Sequence, residues 1–329
     1  MRRIFLATTL VTLMAPAHAA GQSHLLVVSG LGGEAGYTEW FTEWGATLVD
    51  AALERYGMPA ANVTFLAEDT ALDPERIDGR STKAEIEAAF RALVARSRPG
   101  ETVMVVLMGH GAVGGAGPRV NLPGPDLTAA EWAALLDRLD GRRVAFVNTA
   151  SSSGAFLEAV AAPERVVVTA TKSGMERNEA VFGRHFAAAF AGDGADTDKD
   201  GRVSLLEAFV YARAETARAY EDDNKLLTEH AVLDDDGDGK GAEAFTPDGE
   251  GRLASILFLG DPAAARAGAN ASPELRAALE RKRVLEGQLA ELRARRESMD
   301  PDAYQAALED LLVGIAEVDE EIRRLGGGG

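Results

Sequence analysis

Val103-Met104-Val105-Val106-Leu107-Met108 is an unbroken apolar run, and it narrows the folds open to this chain more than any other segment. A strand with one wet face alternates apolar and polar residues, whereas a continuous run fits a strand covered on both faces. Leu25-Leu26-Val27-Val28, Val144 to Val147 and Val166-Val167-Val168 share that character, and Asn62 to Leu66 reads as a further strand. Helical patterns lie between them. One runs over 38–56 and is closed by Gly57-Met58-Pro59. A second opens at the capping box Thr82-x-x-Glu85 and carries Ile86, Ala89, Phe90 and Leu93 on one face. Others follow Leu127-Thr128 as far as Leu139 and begin again near Ala155. Buried strands alternating with helices predict a doubly wound, mainly parallel α/β sheet over 20–262.

The character changes after Gly260-Asp261-Pro262. An Ala/Gly-rich stretch over 263–271 predicts a linker, and from Ser272 leucines recur at helical spacing among many charges. Leu275, Leu279, Leu285, Leu289 and Leu292 form one stripe; Tyr304, Leu308, Leu311, Ile315, Val318 and Ile322 form another. Asp300-Pro301 separates them, so 272–325 predicts an antiparallel helical hairpin or coiled coil. Such a hairpin packs on its own domain or joins two copies of the chain.

Basic Met1-Arg2-Arg3, apolar Ile4 to Met14 and the small-x-small signal Ala17-His18-Ala19 have the layout of a secretory signal peptide over 1–19. The apolar run is too short for a permanent anchor, and no later stretch is long enough to span. The mature chain is therefore expected in the periplasm or secreted, without a membrane span. The full chain has 52 acidic against 34 basic residues, net charge −18, a balance that repels nucleic acid and anionic lipid and favours cations. There is no cysteine. Disulfides, thiolate metal ligands and thiol nucleophiles are all excluded.

Asp196-Thr197-Asp198-Lys199-Asp200-Gly201-Arg202-Val203-Ser204-Leu205-Leu206-Glu207 matches the twelve-residue EF-hand loop. Calcium takes six to eight oxygens, and this spacing wraps them around one point. Asp196, Asp198 and Asp200 offer carboxylates, Arg202 its main-chain carbonyl, Ser204 a hydroxyl or bridged water, and Glu207 the bidentate closure. Gly201 supplies the left-handed turn. Asp234-Asp235-Asp236-Gly237-Asp238-Gly239 repeats the first half, with Asp234, Asp236 and Asp238 as ligands. Its twelfth position is Phe245, so Glu243 or Asp248 is the candidate for closing it. The expected cofactor is Ca²⁺.

Gly109-His110-Gly111 follows the central apolar strand directly, which puts His110 where open α/β sheets place ligands and chemistry. The strand Val144 to Val147 ends in Asn148-Thr149-Ala150-Ser151-Ser152-Ser153-Gly154. A histidine and a small polar turn at neighbouring strand ends have the layout of a base and a nucleophile. With these residues the chain resembles the caspase-like (clan CD) cysteine peptidases, in particular their legumain-like and transamidase branch. There, one strand ends in His-Gly and the next in an Asp-Thr-Cys or Glu-Ala-Cys motif. Asn148-Thr149-Ala150 falls on the latter and places Ala150 in the cysteine slot, or Ser151 if the match slides by one. The resemblance spans roughly 24–260 and implies a caspase-like fold, but thiolate attack is impossible in a chain without cysteine.

Three functions follow. A non-catalytic pseudopeptidase would bind calcium and a peptide or protein partner. A serine hydrolase would use His110 with Ser151, Ser152 or Ser153, although no Gly-x-Ser-x-Gly elbow is present. A structural protein would act through its hairpin. The other mature histidines, His24, His185 and His230, lack metal-ligand spacing.

Overall fold

A computed structural model describes residues 23–245, 250–260, 272–294, 296 and 299–326. The expected signal peptide (1–19), the linker (263–271) and Asp248 lie outside the described residues. The strands are β1 (Ser23–Ser29), β2 (Val63–Ala67), β3 (Gly79–Arg80), β4 (Thr102–Met108), β5 (Gly111–Gly114), β6 (Gly117–Val120), β7 (Leu127–Thr128), β8 (Arg143–Asn148), β9 (Arg165–Thr169) and β10 (Val232–Asp234). The helices are α1 (Ala35–Asp50), α2 (Lys83–Arg96), α3 (Ala129–Leu136), α4 (Leu157–Val160), α5 (Phe182–Ala191), α6 (Leu205–Asp222), α7 (Pro273–Ala294) and α8 (Pro301–Gly326).

Seven strands form one sheet in the order β10-β9-β8-β4-β1-β2-β3, parallel throughout except for β10. This is the doubly wound α/β architecture that the apolar runs predict. Residue parity explains why those runs are unbroken. In β1, Leu25 and Val27 enter one core while Leu26 and Val28 enter the other. In β4, Met104, Val106 and Met108 share the first core, and Val103, Val105 and Leu107 share the second. The first core takes Phe41 and Trp44 of α1, Phe186 of α5 and Phe209 of α6. The second takes Phe90 of α2 and Trp132 of α3, whose ring lies 5.9 Å from that of Phe146. A strand buried on both faces has no solvent-facing position for a polar side chain.

Local signals set the helix starts. Thr128 and Glu131 form a reciprocal capping box at α3, and Thr82 accepts from the Glu85 N–H at α2. β5, β6 and β7 make a small antiparallel sheet inserted after His110. α7 and α8 pack against each other as the expected hairpin, with Leu279, Leu289, Leu292 and Val318 buried. α7 also packs on the short helical turn at Ala254–Ile256 of the α/β body. Among the described residues no helix is long and apolar enough to cross a membrane.

Candidate functional site

The strand order reverses at β1 and β4: the chain runs outward from β1 to β2 and β3, then returns to β4 and builds toward β10. A crevice beyond the carboxyl ends of two such strands is the usual ligand position in an open α/β sheet. Gly30 N–H donates to Met108 C=O at 2.8 Å, which binds the two strand ends together. His110 follows at once. Its ring is flanked edge-on by Tyr37 (4.7 Å between centroids) and Phe41 (5.0 Å). Burial pushes its pKa below the ordinary imidazole value, partly offset by the Glu179 carboxylate and a hydrogen bond to the Gly32 main chain. The imidazole is therefore neutral at neutral pH. Tyr37 in turn donates its hydroxyl to Glu179 at 3.1 Å.

Ala150 lies beside this strand end and is fully buried. A Cβ added at Gly111 would fall 3.4 Å from its methyl group and 2.2 Å from the Ser151 carbonyl oxygen. The three serines have other tasks. The Ser151 hydroxyl bonds the main chain of Gly111 at 3.3 Å, and Ser153 bonds the Thr171 hydroxyl at 3.2 Å. Ser152 is buried in the left-handed region (φ 57°), its hydroxyl without a partner among the described residues, and its N–H donates to the Glu176 C=O. Among the described residues none of these hydroxyls has His110 as its hydrogen-bond partner.

Glu176 carries the other organised histidine. Its carboxylate accepts from the His230 ring at 2.6 Å and from the Lys172 N–H at 3.0 Å. His24, deep in the sheet, pairs instead with Glu101 at 2.9 Å. Neighbouring Glu229 is buried and accepts from the N–H groups of Val181 and Phe182 at the start of α5. Burial outweighs those bonds and raises its pKa from 4.5 to about 7. The unfolded chain releases this proton at lower pH than the folded one, so the stabilisation is complete below the unfolded value and lost as pH rises through the folded one. Stability should fall by about 2 kcal/mol between about pH 5 and pH 7 from this group alone. Urea melts at the two pH values should show that slope, and Glu229→Gln should flatten it.

The expected metal loop joins α5 to α6. Gly201 takes φ +85°, the left-handed turn that the loop requires. Oxygens of Asp196, Asp198 and Glu207 lie within 4.8 Å of one another. One oxygen of Asp196 accepts from the Gly201 N–H at 3.0 Å, while the other, Oδ1, is buried with no hydrogen-bond partner among the described residues. Burial raises the Asp198 pKa, and the carboxylates around it add to the rise. For Glu207 burial acts upward, but donations from Ser204 and Thr197 win and hold its carboxyl below the usual range. Glu207 thus has two roles, since with Ser204 it also forms the capping box of α6. Asp200 is turned outward to Arg202, at 2.9 Å.

In the second loop Asp234 and Asp236 meet Glu250, again with oxygens within 4.8 Å. Glu250 lies well beyond the twelve-residue register and was not legible as its closing carboxylate. Glu243 pairs with Arg213 instead, and Asp238 is turned to Lys240 at 2.8 Å. Burial raises the Asp234 pKa and, with the nearby Asp235 and Asp236, lifts Glu250 to about 8. Gly237 and Gly239 both adopt left-handed φ, and Gly239 N–H closes the turn onto Asp234.

No family model and no curated protein matches this chain. Among solved structures it is similar to the crystal structure of drICE, a caspase, at 10% identity and a TM-score of 0.38, over 67% of this chain and 90% of that one.

Proposed function

We propose that this chain is an exported, calcium-binding protein of caspase-like type whose peptidase site is degenerate and serves to bind a peptide or protein partner. One observation carries the calcium reading: Asp196 Oδ1 is buried without a hydrogen-bond partner inside a cluster of three carboxylates. A buried carboxylate oxygen with no donor costs more than a hydrogen bond returns, and a hard cation removes that cost. Asp196, Asp198 and Glu207 would hold the ion, with Asp200, the Arg202 carbonyl and Ser204 at the remaining positions of the loop pattern. The ion would supply binding energy for the folded state and orient the start of α6.

For the strand ends, the reading rests on a buried alanine in the cysteine slot beside a neutral, ring-flanked histidine. The serine-hydrolase alternative is disfavoured, because Ser151 and Ser153 are committed to structural hydrogen bonds and the buried Ser152 hydroxyl, unpartnered among the described residues, does not bond His110. Calorimetric titration of the mature protein should show calcium uptake with Kd on the order of 10⁻⁴ M or tighter. Glu207→Gln should abolish uptake at the first loop, and peptide hydrolysis should be absent from both proteins. Absence of calcium uptake, or turnover lost with Ser151→Ala, would overturn the corresponding half of the proposal.

A further inference from the structure

We infer that calcium in the 196–207 loop tightens the docking of the α7–α8 hairpin onto the α/β body, with Arg202 as the transmitting residue. The inference rests on the calcium reading above. Arg202 occupies the one loop position at which the expected ligand is the main-chain carbonyl, so its side chain is left to point elsewhere. It bonds Asp200 at 2.9 Å, reaches Glu286 of α7 at 3.5 Å, and lies over the Phe258 ring at 4.1 Å. One guanidinium is therefore shared between a prospective calcium ligand and the hairpin. Glu286 belongs to a wider ion-pair network in which Lys282 reaches both Glu286 (3.6 Å) and Asp319 of α8 (2.7 Å).

The rest of the junction leaves room to move. A cavity of about 620 Å³ separates the loops from the hairpin, with Asp198, Asp200 and Glu250 on one wall and Leu289, Leu312 and Ile315 on the other. Among the described residues the ion pair between Arg202 and Glu286 spans this junction. A calcium ion would be the largest charge in the neighbourhood. It would claim the Asp200 carboxylate and repel the guanidinium, and both effects drive Arg202 away from Asp200. Glu286 and the Phe258 face are the partners already within reach. The shared cation becomes a hairpin-directed one, and the gap closes.

The absence of cysteine makes the test direct. Arg218→Cys on α6 with Glu317→Cys on α8 places one pair of spin labels across the junction in the full mature chain. Calcium should narrow and shorten the distance distribution relative to chelator. Hydrogen exchange of α7 and α8 amides should slow by about fivefold to tenfold, an ordinary size for coupling between sites. Glu286→Gln on α7 should still take up calcium by calorimetry, because it is no part of the loop, yet its exchange should slow by less than twofold. Calcium uptake with unchanged label distance and exchange would overturn the inference and leave the calcium reading intact. Full protection in Glu286→Gln would equally overturn the role of the Arg202–Glu286 pair. No calcium uptake by the wild type would remove both readings together.

Discussion

Saturating calcium is expected to raise the melting temperature by roughly 5 to 10 °C over the same protein in chelator. An ion that binds only the folded state stabilises it by about 2.7 kcal/mol at a hundred times its Kd, and each kcal/mol moves the midpoint of a chain this size by about 2 to 4 °C. The stabilisation acts where carboxylates crowd, at Asp196, Asp198 and Glu207. Glu207→Gln should erase most of the shift and also lower the chelator baseline, because that residue caps α6. Asp196→Asn should erase the shift with a smaller effect on the baseline, since its Oδ1 has no internal partner to lose. Superimposable melts with and without calcium would count decisively against the site.

Gly111→Ala is expected to destabilise the domain by about 3 kcal/mol or more, the range for overpacking a buried junction. The new Cβ would lie 2.2 Å from the Ser151 main-chain oxygen, and a carbonyl at a strand end cannot swing away as a side chain could. The N–H and C=O of the same glycine make the hydrogen bonds to the Ser151 hydroxyl that tie the His110 segment to the turn after β8. Chemical denaturation would read the loss directly. Wild-type stability in Gly111→Ala would show that the two strand ends are not in contact as described. Ser151→Ala, which deletes both of these long hydrogen bonds without a clash, should cost about 1 kcal/mol.

The central sheet was legible because parallel strands covered on both faces carry their burial in the sequence itself, as β1, β4, β8 and β9 do. β10 and the β5–β7 insert were not. Val232–Asp234 is too short and too acidic to read as a strand; its pairing with Val167, Val168 and Thr169 defines it. Gly111–Gly114 and Gly117–Val120 are rich in residues that ordinarily mark turns, and they become strands through each other. The first acidic loop could be picked out as a candidate because all its expected ligands lie within one local window. Glu250 was invisible because the segment between it and Asp234 departs from that window, and only folding returns it. The tasks of the serine turn were equally hidden, since Ser151 and Ser153 find their partners 40 and 18 residues away.

The two ends of the large sheet carry a consequence for the protein in concentrated solution. An exposed strand edge is a template on which another chain can add, and proteins blunt it with short edge strands, charges and bulges. Here the outermost strands are β3, two residues long, and β10, three residues long. β10 ends in Asp234 and runs straight into Asp235 and Asp236, and β3 ends in Arg80. Neither edge offers a run long enough to register with an incoming strand, and the outer side of β10 is already occupied by the reciprocal main-chain bonds between Leu233 and Ala242. The turn that carries Asp234 and Asp236 toward a prospective cation therefore also folds back to cover the sheet edge against edge-to-edge aggregation.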